Sequence, residues 1–79
     1  MENNEILMQV TGIFRDVLDD GEIVLNFQTT ANDIENWDSI SHIQLVVAIE
    51  KHFKIKFGSK EILAWENVGQ MIDSIAGKI

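Results

Sequence analysis

Residues 39–53 constrain the fold most, because their apolar side chains occupy two faces of one predicted helix. Leu45, Ile49 and Phe53 recur at the spacing of a single helix face. A second apolar face follows the spacing i, i+3 and i+7 and consists of Ile40, Ile43 and Val47. Such a helix is either buried on both sides or leaves one face for a partner. We expect the first face to join the core and the second to be partly exposed, with burial on both sides as the open alternative.

The same periodicity predicts a first helix over about residues 4–18. Its apolar residues follow steps of three and four, namely Ile6, Leu7, Val10, Ile13, Phe14, Val17 and Leu18. Asn3 or Asn4 can cap the start, since a short polar side chain accepts hydrogen bonds from the first free amides. The helix should stop at Asp19-Asp20-Gly21, which has the composition of a turn.

Two further helices are predicted in the last third of the chain. Gly58-Ser59 interrupts the preceding pattern and caps a short helix at about 59–63. Asn67, followed three residues later by Gln70, resembles a capping box at the start of a last helix over about 67–76.

Two segments between the helices have no helical pattern. Residues 22–38 form a long first loop, and such a connection is uncommon in a small domain unless its own apolar residues attach it to the core. We expect four such anchors: Ile23, Leu25, Phe27 and Ile34. Residues 54–57 alternate like a strand with nothing to pair with, so we expect an extended connector whose Ile55 and Phe57 face inward.

The predicted helices make an all-α fold with three main helices and one short helix, and the composition fits one small domain. The chain has 79 residues, 46% hydrophobic and 24% charged, so residues 1–79 should fold as a single domain around one core. The absence of cysteine excludes disulfides and thiolate metal sites and is compatible with a reducing cytoplasm. No apolar run approaches the ~20 residues of a membrane span. The first residues do not resemble a signal peptide, so we expect a cytoplasmic protein without membrane insertion.

Acidic residues are concentrated in the first half of the chain. Nine acids stand against Arg15 up to Asp38, whereas four acids face five lysines from Ser39 onward, within a net charge of −7. Binding of nucleic acid needs clustered lysines and arginines, so this balance argues against it. The acidic field would attract basic partners, or else it only keeps the surface solvated.

Asp38 and Ser39 lie where the first loop turns into the helix with two apolar faces. A helix N-terminus leaves amides without intrahelical partners and carries the positive end of the helix dipole, so an anion attached to Ser39 would be favoured. The alternative is that Asp38 and Ser39 are only an N-cap and its neighbour, which is common before an apolar run. On these residues alone, the second interpretation, a plain N-cap and its neighbour, has the better support.

Three other kinds of site have weaker support. Ser39 and His42 are one helical turn apart, but no oxyanion glycine motif or third member accompanies them, which argues against a hydrolase. His42 and His52 lack the spacing and the partners of a zinc site. Residues 33–38 alternate oxygen donors but lack the glycine and closing glutamate of a calcium loop. We predict no catalytic residue and no metal site, and keep an unmodified helical interaction module as the alternative function.

Motifs along nearly the whole chain resemble the acyl carrier proteins and their peptidyl-carrier relatives. The central motif is Asp-Ser-Ile at residues 38–40, where the family has Asp-Ser-Leu at the start of its second helix. The likeness extends through Trp37, Ile43, Leu45, Val46, Ala48, Ile49, Glu50, Phe53, Ile55, Glu61-Ile62 and Asn67-Val68-Gly69. It implies a four-helix acyl-carrier-like bundle.

The resemblance also implies a cofactor and partners. Ser39 would receive 4′-phosphopantetheine from coenzyme A through a phosphopantetheinyl transferase, and the thiol of that arm would hold acyl groups as thioesters. Asp38 would cap the helix and contribute to transferase recognition. The protein would be a non-catalytic carrier whose other partners transfer or modify acyl groups, and we expect it to be a monomer.

The second helix both matches the family and departs from it. Ile40, Ile43 and Val47 match positions that contact partner enzymes, and Glu50 is an acid retained beside them. Carriers of primary fatty-acid synthesis have a strongly acidic second helix, whereas the other corresponding positions here hold Ser41, His42, Gln44, Lys51 and His52. We therefore expect a discrete carrier for a dedicated pathway, such as polyketide, modified-lipid, amino-acyl or cell-surface chemistry.

Overall fold

Four α-helices make up the fold in the computed structural model, which describes residues 2–79. They are α1 (Asn3–Val17), α2 (Ser39–Phe53), α3 (Ser59–Ala64) and α4 (Val68–Ala76). A 3₁₀ turn at Ala31–Asp33, which the sequence did not predict, interrupts the first loop. No strand occurs among residues 2–79, so the all-α prediction is confirmed. No helix in this range is long and apolar enough to cross a membrane.

The start of α1 differs from its prediction. The helix begins at Asn3 with Glu2 as N-cap, and the Glu2 carbonyl oxygen accepts hydrogen bonds from the amides of Glu5 and Ile6 at 3.0 and 3.1 Å. Asn3 and Asn4 therefore lie inside the first turn, and the prediction that one of them caps the helix is wrong. The backbone carbonyl oxygen of Glu2, and not an asparagine side chain, is therefore the partner of the amides at this helix end.

The core lies where α1 packs against both α2 and α4. Ile6, Val10 and Phe14 are fully buried at four-residue steps, so α1 presents one continuous apolar stripe. The facing side chains of α2 and α4 are buried with them: Leu45, Ile49, Val68, Met71, Ile72 and Ile75. Each such side chain contributes about 1.5–3 kcal/mol on burial, which makes this cluster the main source of stability.

The two apolar faces of α2 have different surroundings. Leu45 and Ile49 are fully buried, and Phe53 packs against the core in a half-buried position. The opposite side chains, called here the exposed face of α2, have these exposed fractions: Ile40 71%, Ile43 66% and Val47 43%. Burial on both sides is therefore excluded, and only one face of α2 is needed for the core.

The first loop is attached to both the core and α4. All four predicted anchors are buried or half-buried against the core: Ile23, Leu25, Phe27 and Ile34. The carbonyl oxygens of Phe27 and Thr29 accept hydrogen bonds from the amides of Gly69 and Val68, each at 2.8 Å. The loop thus supplies partners for amides at the start of α4, which have none within the helix.

Two helix starts near the C-terminus also differ in detail from the predicted caps. Asn67 Oδ1 accepts a hydrogen bond from the amide of Gln70, as in a capping box, but Gln70 Oε1 accepts from the amide of Glu66 and not from Asn67. Gly58 is the N-cap of α3, so Ser59 is the first helical residue and does not cap it. The side chain of Gln70 is long enough to reach one residue further back along the loop.

Gly69 lies at the closest approach between α4 and the first loop. A Cβ atom on Gly69 would be 2.7 Å from the carbonyl oxygen of Phe27. The Gly69→Ala substitution should lower the free energy of unfolding by about 1–3 kcal/mol, because the two backbones cannot separate without losing their hydrogen bond. Urea denaturation followed by circular dichroism measures this loss.

Gly12 provides the matched control. It lies inside α1, and an added Cβ atom would have nothing within 4 Å. Gly12→Ala should therefore raise the free energy of unfolding by about 0.5–1 kcal/mol through helix propensity alone. Equal effects of the two substitutions would show that the contact at Gly69 is not a close one.

Candidate functional site

Reciprocal hydrogen bonds between Asp38 and Ser41 fix the N-terminus of α2. Asp38 Oδ1 accepts hydrogen bonds from the amides of Ile40 and Ser41 at 3.0 and 2.9 Å. The buried Ser41 Oγ accepts in return from the amide of Asp38 at 2.8 Å and donates to the carbonyl oxygen of Asn36 at 2.7 Å. This capping box ties the end of the first loop to the first turn of α2.

The same bonds keep Asp38 charged. The amide of Ser41 is the largest influence and, with the Ser41 hydroxyl and the amide of Ile40, lowers the pKa of the Asp38 carboxyl below its ordinary value. The side chain is nevertheless exposed. Asp38 therefore presents a fixed negative charge next to Ser39 at neutral pH.

Ser39 is the first residue of α2, and its side chain is exposed. Its hydroxyl makes no hydrogen bond with any of residues 2–79, although Asp38 and Ser41 on either side of it are bonded to each other. The backbone that carries the hydroxyl is thus fixed, while the hydroxyl itself is open to solvent.

Three of the amides at this helix end already have partners, which differs from the expected anion site. The amides of Ile40 and Ser41 donate to the Asp38 carboxylate, and the amide of His42 donates to the Asp38 carbonyl oxygen at 2.8 Å. The carboxylate occupies the place where the helix dipole would favour an anion on Ser39. An anion attached to Ser39 would therefore find few backbone donors.

An open cavity of about 620 Å³ lies beside Ser39, between the start of α2, the first loop and residues 62–71. Its walls are largely apolar and aromatic and include Trp37, His42, Ile43, Ile62, Leu63 and Trp65. The sequence did not predict this cavity, because Trp37 and Trp65 belong to no common local pattern. Only the tertiary fold brings the two indole rings to one site.

A row of rings runs along this region of the protein. The distances between ring centroids are 4.9 Å for Phe14 and Trp37, 6.0 Å for Trp37 and His42, 6.2 Å for His42 and Trp65, and 4.8 Å for Trp65 and Phe57. Three of the four contacts are edge-to-face, the arrangement that aromatic pairs favour. The row connects the core of α1 with the cavity beside Ser39.

His42, in the middle of the row, is held in one tautomer. Trp37 Nε1 donates a hydrogen bond to His42 Nδ1 at 3.1 Å, and an indole nitrogen can only donate. His42 Nδ1 is therefore unprotonated, and the neutral ring carries its proton on Nε2. Partial burial lowers the pKa of His42 below its ordinary value, because it disfavours the charged ring.

Neither histidine forms a catalytic or metal-binding group with its neighbours. His42 Nδ1 is bonded to Trp37, and no hydrogen bond joins His42 to Ser39. His52 Nε2 lies 2.7 Å from Gln9 Oε1, at the other end of α2. Residues 2–79 contain no group of three or more His, Asp or Glu side chains that could hold a metal ion.

Two residues beside the exposed face of α2 have roles that sequence reasoning missed. Glu50 is half-buried, and its Oε2 accepts a hydrogen bond from the amide of Phe57 at 2.8 Å, so it fastens the connector after α2. Leu63 on α3 is 84% exposed and lines the cavity together with Ile43. Leu63 therefore extends the exposed apolar surface from α2 onto α3.

The stability of the fold should depend on pH through His42. The unfolded histidine, with a pKa of 6.5, binds a proton at a higher pH than the folded one. The free energy of unfolding should therefore be highest above pH ~6.5 and fall as the pH drops from there towards the folded pKa. Protonation of His42 also places a hydrogen on Nδ1, which can then no longer accept the hydrogen bond from Trp37 Nε1. Urea unfolding measured at a series of pH values tests this.

His42→Gln should flatten this part of the pH profile, because the titrating group is removed. Persistence of the slope in His42→Gln would assign the effect to a group other than His42.

Comparison with known proteins identifies the family. Residues 9–75 match the family model described as the phosphopantetheine attachment site. A holo acyl carrier protein from Geobacter metallireducens, solved by solution NMR, is 49% identical over 91% of this chain and 83% of its own, with a TM-score of 0.86. No curated protein is significantly similar to the chain. The chain therefore belongs to the acyl carrier protein family, whose cofactor is a covalently attached 4′-phosphopantetheine.

Proposed function

We propose that Ser39 carries the 4′-phosphopantetheine arm and that this carrier serves a dedicated pathway instead of primary fatty-acid synthesis. The observation that supports Ser39 most is its exposed hydroxyl, which has no partner among residues 2–79 and stands on a backbone fixed by Asp38 and Ser41. A group attached to this hydroxyl displaces no hydrogen bond of the fold.

The surroundings of Ser39 fit an arm attached only by its ester bond. The amides of Ile40 and Ser41 are already bonded to Asp38, and the Asp38 carboxylate repels a phosphodiester beside it. Of the amides that open α2, only that of Ser39 itself is left for the phosphate, so the arm is held mainly by its ester bond and stays mobile. The arm supplies a terminal thiol that forms thioesters with acyl groups, and this chain has no cysteine of its own.

Attachment of the arm requires an enzyme that acts on Ser39. A serine hydroxyl is a weak nucleophile unless a base lies beside it, and His42 Nδ1 is bonded to Trp37 instead. The protein is therefore a non-catalytic substrate of a phosphopantetheinyl transferase, which supplies the activation and uses coenzyme A. The fixed charge of Asp38 next to Ser39 is a recognition feature for that transferase.

The exposed face of α2 is the proposed docking surface for the transferase and for enzymes that transfer or modify acyl groups. Ile40, Ile43 and Val47 start one residue after Ser39 and stay exposed, although burial of each would be favourable by about 1.5–3 kcal/mol. A partner that covers this face gains that energy and is held next to the arm. Glu50, with one carboxylate oxygen bonded to the Phe57 amide, contributes the other oxygen at the far end.

The charges of α2 support a dedicated pathway. Gln44, Lys51 and His52 are exposed and carry no negative charge, and Ser41 is buried. Glu50 is thus the one acid that α2 offers to basic partners that recognise an acidic second helix. Polyketide, modified-lipid, amino-acyl and cell-surface chemistry are the candidate pathways.

The proposal also includes a monomer in the cytoplasm. A net charge of −7 on 79 residues opposes self-association of the exposed apolar face. A chain without cysteine is suited to a reducing compartment.

Ser39→Ala should abolish loading without unfolding the protein. After incubation with coenzyme A and a broad-specificity phosphopantetheinyl transferase, the intact mass of the wild type should rise by one phosphopantetheinyl group, and that of Ser39→Ala should not change. The free energy of unfolding should stay within about 0.5 kcal/mol, because the hydroxyl bonds to no residue in the described range.

Ser59→Ala is the matched control, since Ser59 is the exposed first residue of α3 as Ser39 is of α2. It should be loaded like the wild type. An unchanged mass of the wild type would instead support an unmodified interaction module, and loading of Ser39→Ala would place the arm on another residue.

Ile43→Glu should impair docking with little effect on stability. Ile43 is 66% exposed, so a charge there should lower the melting temperature by no more than a few degrees. The same charge on a docking face should lower kcat/KM of the transferase by about tenfold or more, measured as the rate of mass conversion.

Gln44→Glu is the control for charge alone, because Gln44 is exposed on α2 next to Ile43 but lies outside the exposed apolar face. It should retain nearly the kcat/KM of the wild type. A large drop in melting temperature for Ile43→Glu would assign Ile43 to the core, and equal kcat/KM losses in both variants would remove the case for an apolar docking face.

A further inference from the structure

A second open cavity lies at the end of α2 that is remote from Ser39. Its volume is about 490 Å³, and it is lined by Val47, Glu50, Lys51, Lys54, Ile55 and Lys56. Three of these six side chains are lysines in a protein whose net charge is −7. The cavity is thus a local basic site, called here the lysine pocket, within an acidic molecule.

The backbone turns around Glu50 to form this pocket. The amides of Lys54 and Ile55 both donate to the Glu50 carbonyl oxygen, and the amide of Phe57 donates to the Glu50 carboxylate. Ile55 and Phe57 turn half-buried towards the core, as the sequence predicted, so the alternate residues Lys54 and Lys56 remain exposed. The turn brings them to the cavity that Lys51 also lines.

The three lysines have no partner that neutralises them. The one ion pair among residues 2–79 joins Lys78 to Glu61 at 3.3 Å, away from this pocket. Glu50 is the only acid in the lining, and its Oε2 is engaged by the amide of Phe57. An excess of positive charge therefore faces solvent here.

Stabilisation of the helix end explains only part of this arrangement. Cations near a helix C-terminus interact favourably with the helix dipole, which accounts for Lys51. Lys56 lies beyond the helix, in the connector. Lys54 has a left-handed backbone with φ 59° and ψ 48°, a conformation in which glycine is preferred and lysine is unfavourable. The conformation of the turn therefore does not explain why residue 54 is a lysine.

The lysine pocket continues the exposed face of α2. Val47 belongs to both, so an apolar strip leads from Ile40, next to Ser39, to the three lysines. A partner that covers Ile43 and Val47 places its adjoining surface over the pocket. Desolvating lysines there is costly unless the partner supplies opposite charges.

We propose that the lysine pocket binds carboxylates on the docking surface of this carrier's partner proteins, so that the partners carry an apolar patch flanked by an acidic one. This inference rests on the proposed docking role of α2 and adds the charge of the partner. The molecule's net charge of −7 disfavours an anionic membrane as the occupant, since an extended surface would also repel the acidic remainder. A small acidic patch acts within the Debye length of about 8 Å and avoids that repulsion.

A pair of synthetic helical peptides tests the inference on the unmodified protein. One has a leucine stripe followed by three glutamates, and the other has glutamines in their place. Titration followed by 15N–1H NMR should show the glutamate peptide binding about five- to tenfold more tightly at low salt, with shifts at residues 47–56. High salt should remove most of this difference.

Three variants locate the effect. Lys56→Glu should abolish the preference for the glutamate peptide, and Lys54→Gly should reduce it while leaving the turn at least as stable. Lys60→Glu is the control with the same change in net charge as Lys56→Glu, because Lys60 is exposed on α3 and does not line the pocket. It should retain the preference.

The outcomes separate this inference from the proposed function. Complete loading of Ser39 together with equal binding of the two peptides, or equal losses in Lys56→Glu and Lys60→Glu, would overturn the inference alone. Failure of loading with intact peptide preference would overturn the proposed function alone. Binding to phosphatidylglycerol vesicles that Lys56→Glu abolishes, without a preference between the peptides, would assign the pocket to anionic lipid and also overturn the inference.

Discussion

The conformation of the end of α2 that carries Ser39 depends on the reciprocal hydrogen bonds between Asp38 and Ser41. These bonds give partners to amides that open α2 and, through the bond from Ser41 to Asn36, join the first loop to the helix. Burial of Leu45 sets which side of α2 faces the core. Ser39 lies within the capping box, but its side chain contributes neither to these hydrogen bonds nor to the core. Its hydroxyl is therefore held in place by interactions that a modification leaves intact.

Much of the fold could be predicted because its information lies within a few residues of sequence. The steps between apolar residues, together with local cap and break signals, predicted each helix to within one residue at either end, and the steps alone separated the two faces of α2. The capping role of Asp38 was also local. The reciprocal role of Ser41 was not predicted, because the third position of a capping box usually holds Glu or Gln. At the start of α1, the neighbouring polar residues Glu2, Asn3 and Asn4 could each be the cap, and the local sequence does not decide between them.

The rest of the candidate site arises from contacts between distant parts of the chain. Trp37 and Trp65 line one cavity only because the fold brings the first loop next to residues 62–71, and the tautomer of His42 follows from its hydrogen bond with Trp37. Trp65 is held in turn by the hydrogen bond from its Nε1 to Ser74 Oγ at 2.8 Å. No spacing rule relates these four side chains. A sequence shows that they are aromatic or polar, but only the fold shows that they share one surface.

In the proposed function the two faces of α2 have separate tasks, so that fold and partner choice can change independently. Core side chains such as Leu45 and Ile49 pack in one cluster with side chains of α1 and α4, so substitutions there act on stability. Exposed side chains such as Ile43 and Lys56 make no contact that the core needs, so under the proposed docking role substitutions there act on partners. A carrier can thus acquire a new set of partners by changing its surface charge without repacking its core. A change of surface charge of this kind would leave a basic end of α2 in an otherwise acidic molecule, as is seen here.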